Sequence, residues 1–61
     1  HKLHSGTVYS YDEDEGHGLI EKSDGELVGF HKNDFEGKSI FITENVVFYV
    51  EDDEAVYVRR K

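Results

Sequence analysis

Apolar positions along this chain do not recur at helical spacing over any useful length. Short runs rich in β-branched and aromatic residues alternate with polar neighbours and are cut by acidic or glycine-containing segments, which is the pattern of strands. Five strands are predicted. The first spans residues 6–11 and ends at the acidic run Asp12-Glu13-Asp14-Glu15, followed by Gly16. The second spans residues 17–21, after which Ser23-Asp24-Gly25 turns the chain, Gly25 being free to take a positive φ. Residues 27–31 form the third. Residues 32–43 read as irregular, with Gly37 as a turning point, and residues 44–50 form the fourth strand. Glu51-Asp52-Asp53-Glu54 is a tight acidic turn into the fifth, residues 55–59.

Five short strands in an open sheet leave unpaired edges, and a five-stranded antiparallel Greek-key barrel removes them. The expected fold is therefore all-β, an OB-fold. Its expected core is Val8, Ile20, Val28, Phe30, Val46, Phe48, Val50 and Val58. Gly16, Gly18 and Gly29 are expected at bulges or at close approaches of backbone. There is no proline, no internal repeat and no low-complexity segment, so residues 1–61 read as a single domain. A chain of this length buries roughly 60% of the surface its unfolded form exposes, enough to fold unaided with little margin. The opening His1-Lys2-Leu3-His4-Ser5 reads as partly tag-like and is given no functional weight.

Composition narrows the classes. Without cysteine there is neither a disulfide nor a thiolate metal site, which points to an intracellular, cytoplasmic protein. No apolar run suits a transmembrane helix or a signal peptide, so no membrane partner is expected. Seven basic residues against fourteen acidic ones leave a net charge of −7. Such a chain repels phosphate backbones at long range, although the charge also serves simply to keep a small protein soluble.

The stretch Gly6-Thr7-Val8-Tyr9-Ser10-Tyr11-Asp12-Glu13-Asp14-Glu15-Gly16-His17-Gly18-Leu19-Ile20 resembles, without a gap, the G-x-V-K-W-F-N-x-x-K-G-F-G-F-I pattern that opens bacterial cold-shock proteins. Asp24-Gly25 and then Val28-Gly29-Phe30-His31-Lys32-Asn33-Asp34-Phe35 are similar to that family's D-G turn and its V-F-V-H-F-S-x-I strand. Residues 43–50 resemble G-x-x-V-x-F-x-V, and Ala55-Val56-Tyr57-Val58 resembles the closing A-x-N-V. The resemblance covers nearly the whole chain, with shorter loops between strands three and four and between four and five.

Cold-shock domains stack single-stranded bases on exposed aromatics over a positive surface, so the resemblance implies a nucleic-acid face. Its tryptophan is Ser10 here, one phenylalanine is Gly29 and another is Leu19, while the ring after His31 is replaced by Lys32. Two lysine positions are Tyr9 and Glu15, the second a reversal of charge. The residues left for nucleic-acid binding are Tyr9, Tyr11, His17, Leu19, His31 and Lys32. Losing about three platforms at about 1–3 kcal/mol each removes at least two orders of magnitude in affinity. Weak or selective binding of single-stranded RNA or DNA is what remains.

Each of these residues has a plainer reading. Tyr9 and Tyr11 also suit half-buried strand positions, and His17 and His31 ordinary polar surface. The histidines and acids lack metal-ligand spacing, and Asp12 to Glu15 lacks the frame of a calcium loop and reads as a solvated turn. Arg59-Arg60-Lys61 is a small basic tail that either touches phosphate or frays. No nucleophile motif, paired catalytic carboxylates or phosphate-cradling loop occurs, so no enzyme and no cofactor is expected. The alternative function is an OB-fold protein-interaction domain that has lost nucleic acid and uses its acidic surface to bind a basic protein. A third possibility is one domain of a longer chain whose other segments supply positive charge. Both a monomer and a dimer paired through an edge strand are compatible with the pattern.

Overall fold

In a computed structural model that describes residues 2–37 and 39–61, the chain forms β1 (His4–Asp12), β2 (His17–Lys22), β3 (Leu27–His31), β4 (Asn45–Glu51) and β5 (Glu54–Arg60), with one turn of 3-10 helix at Lys32–Asp34. The strands close into a barrel in the order β1-β2-β3-β5-β4. The predicted all-β, five-stranded barrel is thus the observed one, with one departure. β3 and β5 run parallel where the barrel closes, through Gly29↔Glu54 and Phe30↔Ala55. Closure gives every strand two neighbours, although β3 meets β5 over two residue pairs only and β1 meets β4 only from His4 to Thr7.

The core consists of Val8, Ile20, Val28, Phe30, Phe35, Val46, Phe48, Ala55 and Val58, and no polar residue is buried among the described residues. Seven of the eight predicted core residues are there; Val50 is only partly buried and packs at the margin. Phe35 and Ala55 are the two that pattern did not supply. Phe35 arrives through the single helical turn, whose start is capped by His31 Nδ1 accepting from the Asn33 amide at 3.2 Å. That turn bends the chain back so that Phe35 bridges to Val58 and the Glu36 amide donates to the Val58 carbonyl at 2.7 Å. Ala55 enters because β5 begins directly after the acidic turn, opposite Phe30.

β1 is longer than its pattern suggests. His4 to Thr7 pair with β4, and the His4 ring stacks on Phe48 with centroids 5.9 Å apart and an 18° tilt. His4 and Ser5, read above as tag-like, are therefore part of the barrel. β1 serves both β4 and β2 by bending at a bulge. Val8 pairs with Ile20 and Ser10 with Leu19, so Tyr9 is the extra residue. A second bulge sets Tyr57 and Val58 against Phe48, and Tyr57 there has φ of 53°.

Gly18 is a true close approach. It lies in register between Tyr11 and Phe30, whose rings stack across it at 6.0 Å, and a Cβ would collide with the Ser10 carbonyl oxygen and lie 2.8 Å from the Tyr11 Cα. Gly29, expected to be similar, is not crowded: a Cβ there would meet only the Gly18 carbonyl oxygen at 3.8 Å.

The carboxyl-terminal cations do not form a free tail. Arg60 Nε donates to Glu44 Oε2 at 2.6 Å and its Nη2 donates to the Ser39 carbonyl. Its guanidinium also lies over Phe35 and Phe41, 5.5 and 5.8 Å from the ring centroids. Arg60 thereby pins the connection between the helical turn and β4.

The β4–β5 turn is strained. Asp52 and Asp53 have φ of 53° and 66°, as a two-residue hairpin of type I′ requires, but a side chain at the second position is disfavoured where glycine is not. Asp53→Gly should therefore stabilise the barrel by about 1 kcal/mol and raise Tm by about 4–8 °C in thermal unfolding followed by circular dichroism. An unchanged or lower Tm would show that the turn holds no strain.

Candidate nucleic-acid interface

The pleat sorts the residues of β1, β2 and β3 into alternating rows. Asp12, His17 and His31 lie side by side across the three strands, and Ser10, Leu19, Gly29 and Glu54 form the next outward row, reaching into β5. Between them runs the inward row of Tyr11, Gly18, Phe30 and Ala55. The two outward rows frame a hollow of about 550 Å³, with Tyr11 and Phe30 contributing to its walls. Leu19 lines it, and the missing side chain at Gly29 leaves it open.

Of the predicted site residues, the structure brings His17, Leu19 and Tyr11 to this hollow. His31 stands beside His17 across the strands, exposed, with its Nδ1 committed to the Asn33 amide. Tyr11 is half-buried and packs against the core. Lys32 does not line the hollow; it follows His31, its amide donates to the Gly16 carbonyl at 2.8 Å and its methylenes run past Gly16. Tyr9 does not join the group: it is 54% exposed at the bulge and does not line the hollow.

Charge in the hollow is negative. Its lining includes Asp12 and Glu54 and neither lysine nor arginine. Asp12 also holds the acidic turn in shape, its Oδ1 accepting from the amides of Asp14 at 3.0 Å and Glu15 at 3.3 Å. Glu15 Oε1 lies 2.8 Å from His17 Nε2. Lys22, the cation of β2, is taken up by Glu26 at 3.3 Å and Asp24 at 4.0 Å. Glu54 was not among the candidates. It reaches the hollow through the parallel register of β3 and β5, and a pairing between residues so distant in sequence leaves no local signal.

The closed five-stranded barrel is an OB-fold. It is similar to the solved structure of Drosophila Unr CSD456, with a TM-score of 0.83 and 21% sequence identity over 98% of this chain. The chain spans 27% of that longer chain. At this identity the likeness is one of fold. No protein-family model and no curated protein matches the sequence.

Proposed function

We propose that this barrel is a single-stranded nucleic-acid-binding module that takes an unpaired base into the β1–β3 hollow and makes few phosphate contacts. The observation that carries the reading is the placement of His17, Leu19 and Tyr11 around an open hollow on one face of the barrel, with His31 beside His17 on the next strand. The imidazoles offer stacking surfaces, Leu19 an apolar floor and Tyr11 a wall. Lys32, next in the chain after His31, supplies the phosphate contact on this reading. Tyr9 lies outside the hollow and contributes only if the strand continues past the bulge.

Binding on this reading is weak and only mildly salt-dependent. One phosphate contact gives a slope of log K against log salt of about −0.7 for a single strand, where a basic groove gives several times that. Titrating oligopyrimidine DNA and RNA at low salt should shift the amide resonances of His17, Leu19 and His31. Glu54→Lys should tighten binding by placing a cation in the hollow. Absence of any shift at ~1 mM protein, well above the range of ordinary non-specific binding, would sink the proposal.

A specific observation favours a second reading. Asp12 and Glu54 occupy the hollow where an anion-binding face would carry cations, which suits a protein-interaction barrel with a basic partner. Glu54→Lys separates the two, since it strengthens oligonucleotide binding on the first reading and weakens the basic partner on the second.

A further inference from the structure

The β4–β5 side of the barrel carries a second aromatic surface, on different strands from the hollow. Tyr57 is 75% exposed, and it stands at the bulge with a φ of 53°. This left-handed conformation is uncommon for a bulky residue and suits asparagine far better, which is the residue the A-x-N-V pattern has at this place. Tyr57 therefore holds an aromatic ring in solvent at a position where the backbone favours a small polar residue. Tyr49, on the outward side of the neighbouring strand, stands next to it. Two grooves, of about 440 and 380 Å³, share these two tyrosines as walls. Glu51 edges the first groove; Asp34, Glu36 and Arg59 edge the second.

Three carboxylates against one guanidinium repel a phosphate backbone and attract a cation, and a tyrosine face binds a guanidinium or ammonium group through its quadrupole. Aromatic rings flanked by complementary charge are also what protein interfaces favour. We propose that this face docks a basic, extended segment of another protein, seating an arginine side chain against Tyr57 and Tyr49 among Glu51, Asp34 and Glu36. The surface shares none of these residues with the hollow, so it stands or falls separately from nucleic-acid binding.

The test is a low-salt titration of the isotopically labelled chain with a blocked peptide of alternating arginine and glycine. Shifts are expected at Tyr49, Glu51 and Tyr57, with His17, Leu19 and His31 unmoved. Tyr57→Asn should weaken the peptide about 2- to 30-fold, the range of one cation–π contact, while Tm holds or rises because asparagine suits the backbone. Glu51→Gln should weaken it as well. Shifts that spread evenly over the acidic turns, undiminished binding by Tyr57→Asn, or oligonucleotide moving the same tyrosine resonances would each overturn the proposal.

Discussion

Gly18→Ala is expected to lower Tm by about 12–24 °C, whereas Gly29→Ala in the neighbouring strand is expected to be neutral or stabilising. The two glycines flank the same hollow but meet different surroundings. A Cβ at Gly18 would collide with the Ser10 carbonyl, come within 2.8 Å of the Tyr11 Cα and press the Phe30 ring at 3.1 Å. Two of those three atoms are backbone, so relief requires β1 and β2 to separate and the Tyr11–Phe30 stack to open. Overpacking of this kind costs about 3 kcal/mol or more, against a total stability of about 3–9 kcal/mol for a domain of this size. This cost sets the fall in Tm. At Gly29 a methyl group meets only ordinary contact, and removing glycine from a strand contributes about 0.5–1 kcal/mol. Circular dichroism melts of the pair decide the point, and equal destabilisation by both would refute the assignment of the close approach to Gly18.

The second large effect is a gain. Gly29→Phe should raise affinity for single-stranded oligonucleotide by about 5- to 150-fold, the equivalent of one base stack of about 1–3 kcal/mol. Gly29 lies in the outward row between Leu19 and Glu54, its backbone has no positive φ, and the space above it is open. A phenyl ring there would stand in the hollow beside Leu19 and His17 without displacing anything in the core. The fold should survive, because aromatic residues suit a half-buried strand position. Fluorescence anisotropy with a labelled oligopyrimidine, run beside a thermal melt, measures both expectations. An intact fold with unchanged affinity would mean that bases do not enter this hollow.

Strand positions and most of the core were legible because their signals are local. Alternation set the inward phase of Val28 and Phe30 and of Val46 and Phe48, and Asp24-Gly25 named its own turn: the Gly25 amide donates to the Lys22 carbonyl at 2.9 Å. The acidic run between β1 and β2 is a solvent-exposed turn stapled by Asp12, as its composition suggested. The candidate face was read less completely, and the bulge at Tyr9 is the main reason. Unbroken alternation from Val8 would place Tyr9 and Tyr11 together on the outer face. One extra residue shifts that phase, so Ser10 turns outward and Tyr11 turns in to pack on Phe30.

The remaining differences are long-range. Glu54 enters the hollow because β5 pairs with β3 in a parallel register. Arg60 is held at the surface by Glu44 and two aromatic rings that come from a segment without strand pattern. By itself the sequence determined five strands, their turns, the apolar phase of the barrel and a strongly acidic surface, since each depends on neighbours within a few residues. Tertiary structure alone decided which acids line the hollow, which tyrosine faces inward, which cation is tied down on the surface, and that Tyr57 and Tyr49 share a second surface. Those outcomes depend on where a bulge falls and how the barrel closes, which bring together residues that no short stretch of chain relates.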